Sequence, residues 1–292
     1  MNAQNRPMTK IFWTNTIWYI ALAAISAAML FLALAKSPCR KKTLAFFFAV
    51  LGMTYFLEIL LLVVMEAYTY SPKIASDSFH ESLIGNFFSQ YSVSAAAVLI
   101  ATLGLNMRWR IGFSIAYFWV DVLFVQLNIY SHNWYNSWFT LGGFFVYSWI
   151  VMKWHGKVFS HPTKGLFIAT LFLAVFSLYG NLFGTTLNFM EIQRFTIGLY
   201  EQTTKDNTAA SVLYSIPSIA IIIPLCRLKH RPAFKGLLFL LVFVIDWCLY
   251  RMGFMHVKAG WFIPVTLFTV FGRYMITGFL DRSLGLADAP CT

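Results

Sequence analysis

Charged side chains are scarce in this sequence: Asp, Glu, Lys and Arg make up 11% of its 292 residues, while hydrophobic residues make up 59%. Soluble domains carry about a quarter charged residues, so this composition excludes an ordinary soluble fold. Acidic residues are the scarcer sign, with 11 Asp and Glu against 22 Lys and Arg. The formal net charge of +11 therefore needs an explanation, and the placement of the basic residues supplies it.

Sequence motifs of many enzymes and metal proteins are also absent. The chain has no GxxxxGK[ST] loop, no HExxH, no GxSxG and no CxxC pair, so ATP-driven work, zinc hydrolysis and structural zinc are not expected. His80, His132 and His256 fall in connections without any further ligand pattern. We therefore expect no metal and no cofactor.

Nine apolar segments are present, each about long enough to cross some 30 Å of hydrocarbon as a helix. Their approximate bounds are 12–35, 43–65, 83–105, 111–130, 137–152, 165–184, 209–226, 236–254 and 261–280. They predict an all-α fold, a polytopic integral membrane helical bundle of about nine transmembrane helices. The longest connection, roughly 185–208, is too short for a soluble domain, so 1–292 is expected to form a single transmembrane domain in a lipid bilayer.

Basic residues concentrate in alternate connections, which indicates the topology. One side carries the basic clusters at 36–42, 108–110, 153–164 and 227–235, together with Arg282. The other side carries only Arg6, Lys10, Lys73, Arg194, Lys205 and Lys258. The positive-inside rule places the first side in the cytoplasm, with the N-terminus outside and the C-terminus cytoplasmic. The net charge is thus a topology signal, and no nucleic-acid partner is expected.

A weak internal repeat of helical hairpins is predicted over 43–106, 111–152 and 236–280, because each hairpin carries one intramembrane carboxylate and an aromatic-rich outer connection. The last hairpin resembles small, uncharacterised multi-pass proteins of spore-forming bacteria, which implies a bacterial plasma membrane and no particular function. In the longest connection, helical spacing favours either a short surface helix or an ordinary loop; the spaced residues are Phe189, Ile192, Phe195 and Leu199.

Five charged side chains fall inside the predicted spans, where each needs a partner or a hydrated cavity: Glu58, Asp121, Asp246, Arg251 and Arg273. Their depths along the helices predict that Arg273 pairs with Asp121 or Asp246, and that Arg251 pairs with Glu58. Such pairs would either hold the bundle together or serve function. Three carboxylates against two guanidiniums leave one carboxylate without a charged partner, and such a group could relay a proton or sodium ion. We choose Asp121 as this candidate.

Polar side chains on the spans favour a hydrated interior, and we add Asn86, Gln90 and Asn128 to the cavity candidates. The leading hypothesis is a transporter-like or channel-like protein that moves an ion or small solute through a polar cavity, without enzymatic activity. The alternatives are a membrane-embedded enzyme acting on a lipid or isoprenoid, and a non-catalytic sensor or assembly protein. Catalytic residues and the oligomeric state are not indicated.

Overall fold

A computed structural model of the chain describes residues 12–184, 186–187, 190–227 and 232–285. Within these ranges the protein is an all-α bundle of nine helices with four strands of three residues each, so the predicted fold class is confirmed. The helices are α1 Ile17–Lys36, α2 Arg40–Glu58, α3 Ser78–Thr102, α4 Met107–Gln126, α5 Ser137–Phe159, α6 Lys164–Tyr179, α7 Thr203–Arg227, α8 Pro232–Arg251 and α9 Phe262–Leu284. The strands are β1 Tyr68–Tyr70, β2 Tyr130–His132, β3 Gln193–Phe195 and β4 Met255–Val257.

Every predicted span coincides with one of these helices. Seven of the helical segments are long and apolar enough to cross a membrane, and α4 and α5 are the two helices outside that set. Short stretches of π-helix extend three helices: Phe12–Thr16 precedes α1, Ile59–Val64 follows α2 and Gly180–Gly184 follows α6. The protein is therefore a multi-pass membrane protein by the length and composition of its helices.

The chain divides into two compact units, with the boundary between His161 and Pro162. In the first unit, α3 packs against α1, α2 and α5, and α4 packs against α5. Its two strands form an antiparallel pair in which Tyr68 lies opposite His132 and Tyr70 opposite Tyr130. In the second unit, α9 packs against α6 and α7, and β3 pairs with β4 in the same antiparallel manner.

The two units repeat the same order of elements at a constant offset of 125 residues. Helix α3 begins at Ser78 and α7 at Thr203, and 203 minus 78 is 125. The same difference separates both ends of α4 from those of α8, of α5 from α9, and of β1 and β2 from β3 and β4. Helix α6 takes the place of α2 in this order, but the ends of the two helices differ by 124 and 121 residues instead of 125. Helix α1 has no counterpart among the described residues of the second unit. The three-hairpin repeat stays a prediction, distinct from this correspondence.

Backbone details recur at the same offset. Ser71 N donates to Ile129 O at 2.9 Å, and Thr196 N donates to Phe254 O at 2.9 Å. Three pairs of residues with positive φ also match: Glu66 with Glu191, Lys73 with Gly198, and Asn128 with Gly253. Left-handed backbone at matched positions means that the turns flanking the strands follow the same course in both units.

One buried carboxylate in each unit fixes the loop before the long central helix. Glu81 accepts hydrogen bonds from the backbone N–H groups of Lys73, Ile74 and Ala75. Its counterpart Asp206 accepts four, from the consecutive residues 197–200, at 2.7 to 3.3 Å. Because strand β1 or β3 lies between this loop and the preceding helix, the carboxylate positions the strand as well.

The surface helix proposed for the longest connection is wrong where the structure describes that segment. Gln193–Phe195 is strand β3, and Phe195 N donates to Asn207 Oδ1 at 2.8 Å. Phe195 is buried against Met255 instead of lying on a helical surface. The strand is favoured because β4 supplies backbone hydrogen-bond partners, whereas an isolated short helix is only marginally stable. Phe189 lies outside the described residues.

Candidate functional site

The first unit contains a partly open cavity of about 120 Å³ that two of the predicted carboxylates line together. Glu58 lies at the end of α2 and Asp121 in the C-terminal half of α4. Helix α1 contributes Tyr19 and Leu22 to the lining. The other lining residues are also hydroxyl-bearing or apolar: Tyr68, Tyr70, Ser89, Ser92, Val93, Tyr117, Val120, Phe124, Tyr130, Tyr135 and Thr140. No lysine or arginine is among these described lining residues.

Asp121 is 8% exposed and is held by hydroxyl groups of α5. Ser137 Oγ donates to its Oδ1 at 2.6 Å and Thr140 Oγ1 to its Oδ2 at 2.7 Å. His132 Nε2 lies 3.1 Å from Oδ1, an ion-pair distance when the imidazole is protonated, although its direction does not meet hydrogen-bond geometry. Asp121 therefore sits among neutral donors, with a weakly basic imidazole at its edge.

Glu58 is half-buried at the point where α2 passes into π-helix, and the Tyr68 hydroxyl donates to its Oε2. Burial raises the pKa of the Tyr68 phenol well above its usual range, and the charge of Glu58 raises it further. The phenol consequently stays protonated and remains a donor to the carboxylate. Single π-helical turns often accompany functional sites because they interrupt the regular α ladder.

Six tyrosines line the cavity, and most of their hydroxyls are already bonded within the protein. Tyr19 donates to Ile129 O at 2.5 Å, and Tyr117 shares a hydrogen bond of 2.8 Å with Ser92. Tyr135 shares one of 3.1 Å with Thr140. The rings pack on one another, as in the Tyr70 and Tyr130 stack at 4.7 Å. With their hydroxyls engaged, these residues line the cavity chiefly with ring surface.

The second unit contains a different charged cluster, built on Asp246 and Arg273. Tyr214 Oη donates to Asp246 Oδ1 and accepts from Arg273 Nη2 at 3.0 Å, so one hydroxyl bridges the two charges. Arg273 Nη2 also donates to Tyr179 Oη at 2.9 Å. The guanidinium carbon lies 4.5 Å from the Tyr179 ring centre and 4.9 Å from that of Tyr214. Arg273 is 0% exposed and Asp246 1% exposed, so the pair is sealed in protein.

No protein-family model, curated protein or solved structure matches the chain. The site is therefore interpreted from its own geometry. The predicted grouping of Arg273 with Asp246 corresponds to this bridged cluster. Glu58 and Arg251 belong to different units, and each has other contacts: Glu58 with Tyr68, and Arg251 with the Trp247 ring at 5.9 Å.

The other predicted cavity residues are not among the residues that line this cavity. Asn86 and Gln90 are buried on α3, at 3% and 2% exposure, on a part of the helix that does not line this cavity. Asn128 is exposed and has a φ of 55°, at the position where the second unit has Gly253. Its role is that of a residue tolerant of left-handed backbone after a helix.

His132, Tyr19, Tyr135 and the tyrosines of strands β1 and β2 are the site residues that sequence reasoning missed, whereas Tyr117 shares the polar face of α4 with Asp121. A signal existed in the Tyr-Thr-Tyr run at 68–70 and in Tyr130, which stand in two connections between predicted spans. Tyrosines at such positions are typical of the aromatic belt at the membrane interface, which hides their pairing across β1 and β2.

Proposed function

We propose that this multi-pass membrane protein binds a small cation in the cavity of its first unit and carries it across the membrane, as a transporter or channel does. One observation supports the proposal above all: Glu58 and Asp121 line the same cavity, whose described lining contains no lysine or arginine. A carboxylate at membrane depth requires a proton, a counter-ion or water. A cation from solution would supply the missing charge.

The surroundings of both carboxylates support reversible binding of a cation. Hydroxyl donors hold Glu58 and Asp121 in place without neutralising them, and the His132 imidazole, 3.1 Å from Asp121, carries a charge only when it is protonated. A fixed internal cation would compete with a cation from solution, whereas a hydroxyl only orients the acceptor. Because the sequence has no nucleotide-binding loop, an ion gradient is the proposed energy source.

The first test measures cation currents in proteoliposomes on a solid-supported membrane, with sodium, potassium, proton and guanidinium gradients applied in turn. We expect at least one gradient to give a current that Glu58→Gln and Asp121→Asn each reduce about tenfold or more, since tenfold corresponds to about 1.4 kcal/mol of lost interaction. Glu201→Gln is the matched control, because Glu201 is an exposed carboxylate outside the cavity. Equal currents in wild type and the Glu58→Gln, Asp121→Asn double variant would refute the proposal.

A further inference from the structure

The constant offset between the units allows the same position to be compared twice in one chain. Ser89 and Asp121, which line the cavity of the first unit, correspond to Tyr214 and Asp246 of the second. Tyr214 places a phenol ring where the first unit has only a serine side chain. The aspartate, by contrast, is the same in both units, so its partners can be compared directly.

In the second unit, the partner of that aspartate is an organic cation built into the chain. The Arg273 guanidinium lies against the rings of Tyr179 and Tyr214 and reaches Asp246 through the Tyr214 hydroxyl. Aromatic faces attract a cation through their quadrupole, most strongly where water is excluded. This unit therefore shows the kind of cation that tyrosine rings and a carboxylate accept in this fold.

The first unit has the same carboxylate, and tyrosine rings at other positions of the repeat, but no arginine at the position of Arg273. Its counterpart of Arg273 is Ser148, which is uncharged and is 0% exposed. Ser148 accepts a hydrogen bond from Arg110 Nε at 3.4 Å, and Arg110 also donates to Phe145 O at 3.0 Å and lies over the Phe145 ring. None of these three residues lines the cavity. The space that the Tyr214 phenol fills in the second unit corresponds to cavity volume beside Ser89 in the first.

We infer that the cavity of the first unit binds a guanidinium-type organic cation, an inference that rests on the proposed function and names its substrate class. Glu58 and Asp121 supply the charge, and the rings of Tyr70 and Tyr130 supply aromatic surface. A metal ion would instead require several oxygen ligands directed at one point. Here the two carboxylates already accept hydroxyl donors and the wall between them is largely ring and aliphatic surface.

The test is isothermal titration of the full chain in lipid nanodiscs with millimolar guanidinium chloride, compared with sodium and potassium chloride at constant ionic strength. Tyr130→Met introduces the residue found at the equivalent position 255 of the second unit, so the fold has a precedent for it. We expect this variant to weaken guanidinium binding about threefold to tenfold. Tyr130→Phe keeps the ring and should bind within about twofold of wild type.

Two further variants test whether binding depends on the charge of Asp121 and on the open volume of the cavity. Asp121→Asn should weaken guanidinium binding at least tenfold, and Ser89→Tyr should abolish it by filling the cavity as Tyr214 fills its own unit. Glu201→Gln is again the control and should bind as wild type does. If Ser89→Tyr does not fold, the Tyr130→Met and Tyr130→Phe comparison still decides.

The outcomes distinguish this inference from the proposed function. Binding of sodium or potassium that depends on Asp121, without guanidinium binding, overturns the inference and leaves the proposed function standing. Guanidinium binding that is equally strong in Tyr130→Met and Tyr130→Phe also overturns it, because the ring then has no role. If no cation responds to Asp121→Asn or Glu58→Gln in either titration or current measurements, both proposals fail together.

Discussion

Asp121 and Asp246 stand at equivalent positions of the two units but have different partners. Asp121 accepts hydrogen bonds from the hydroxyls of Ser137 and Thr140. A neutral acceptor at this position can also bond these hydroxyls. Asp246 balances the charge of Arg273, which is fully buried and whose Nε and Nη1 have no acceptor among the described residues. Removing the negative charge leaves a buried cation uncompensated in the second unit alone, so the two substitutions should differ in cost.

We expect Asp246→Asn to lower the free energy of unfolding by about 3–5 kcal/mol, the range found when one partner of a buried ion pair is removed. Asp121→Asn should lower it by only about 1–2 kcal/mol, because the amide oxygen still accepts one hydroxyl. Denaturant titration of both variants in the same detergent measures the difference. The double variant Asp246→Asn, Arg273→Met should recover part of the loss. Equal losses in the two single variants would contradict this account.

Among elements, the short strands depend on side chains that lie outside them. Glu81 and Asp206 tie the loops beside β1 and β3 to the long helices α3 and α7. The next residues, Ser82 and Asn207, each accept from a strand N–H, that of Tyr70 or Phe195. A pair of three-residue strands has little stability of its own, so these anchors hold each strand against its helix.

Asp206→Asn should release the loop at 197–200. An asparagine has one acceptor oxygen where the carboxylate has two, so some of the four backbone N–H groups lose their hydrogen-bond acceptor. We expect a loss of roughly 1–3 kcal/mol and faster hydrogen exchange confined to those amides. Mass spectrometry of exchange in detergent measures this, with Glu201→Gln as the control. Unchanged protection at 197–200 would show that the carboxylate does not hold the loop.

The turn after α4 and the turn after α8 provide a second comparison of elements. Asn128 has a φ of 55° and Gly253 a φ of 78°, and a side chain at such angles costs about 1–2 kcal/mol unless it is glycine or asparagine. We therefore expect Gly253→Ala to lower the thermal midpoint by several degrees and Asn128→Gly to leave it nearly unchanged. A thermal scan of both variants checks this, and equal shifts would exclude the backbone explanation.

The nine helices could be predicted from the sequence because a membrane span needs only a long apolar run, which is a local property. The strands could not, since each has three residues and its partner lies about sixty positions away along the chain. Glu58 and Asp121 were predicted as charges within the bilayer, but their convergence on one cavity depends on how α2 and α4 pack around α3. The tyrosines of β1 and β2 have the pattern of an aromatic belt, which does not predict that they line a cavity.

For the molecule as a whole, the sequence predicted a weak repeat of hairpins but not the 125-residue repeat of the units, because most equivalent positions have diverged. Asp121 and Asp246 are identical, yet Ser89 corresponds to Tyr214 and Ser148 to Arg273. The units share the placement of most helix ends, of residues with positive φ and of one carboxylate in the first turn of α3 and of α7. These features are set by backbone geometry, and many residue types satisfy them.

The repeat and the distribution of basic residues together predict which loops face outward. Ser131 in β2 and His256 in β4 are exposed and 125 residues apart, and neither lies in a basic connection. We expect Ser131→Cys and His256→Cys both to react with a membrane-impermeant maleimide added to intact cells, and Lys41→Cys and Arg108→Cys not to react, with the unmodified chain as background. Labelling at Lys41→Cys with none at Ser131→Cys would invert the topology.

Arg273 also determines whether the second unit can bind a cation from solution. The guanidinium of Arg273 is covalently attached to the chain and acts as a tethered ligand. Its effective concentration at the site is fixed by the length of the side chain and does not depend on the concentration of cations in solution. The Asp246 site of the second unit is thus permanently occupied by Arg273. Under the proposed function, the first unit alone binds and releases a cation from solution, so one chain contains an occupied copy and a responsive copy of the same scaffold.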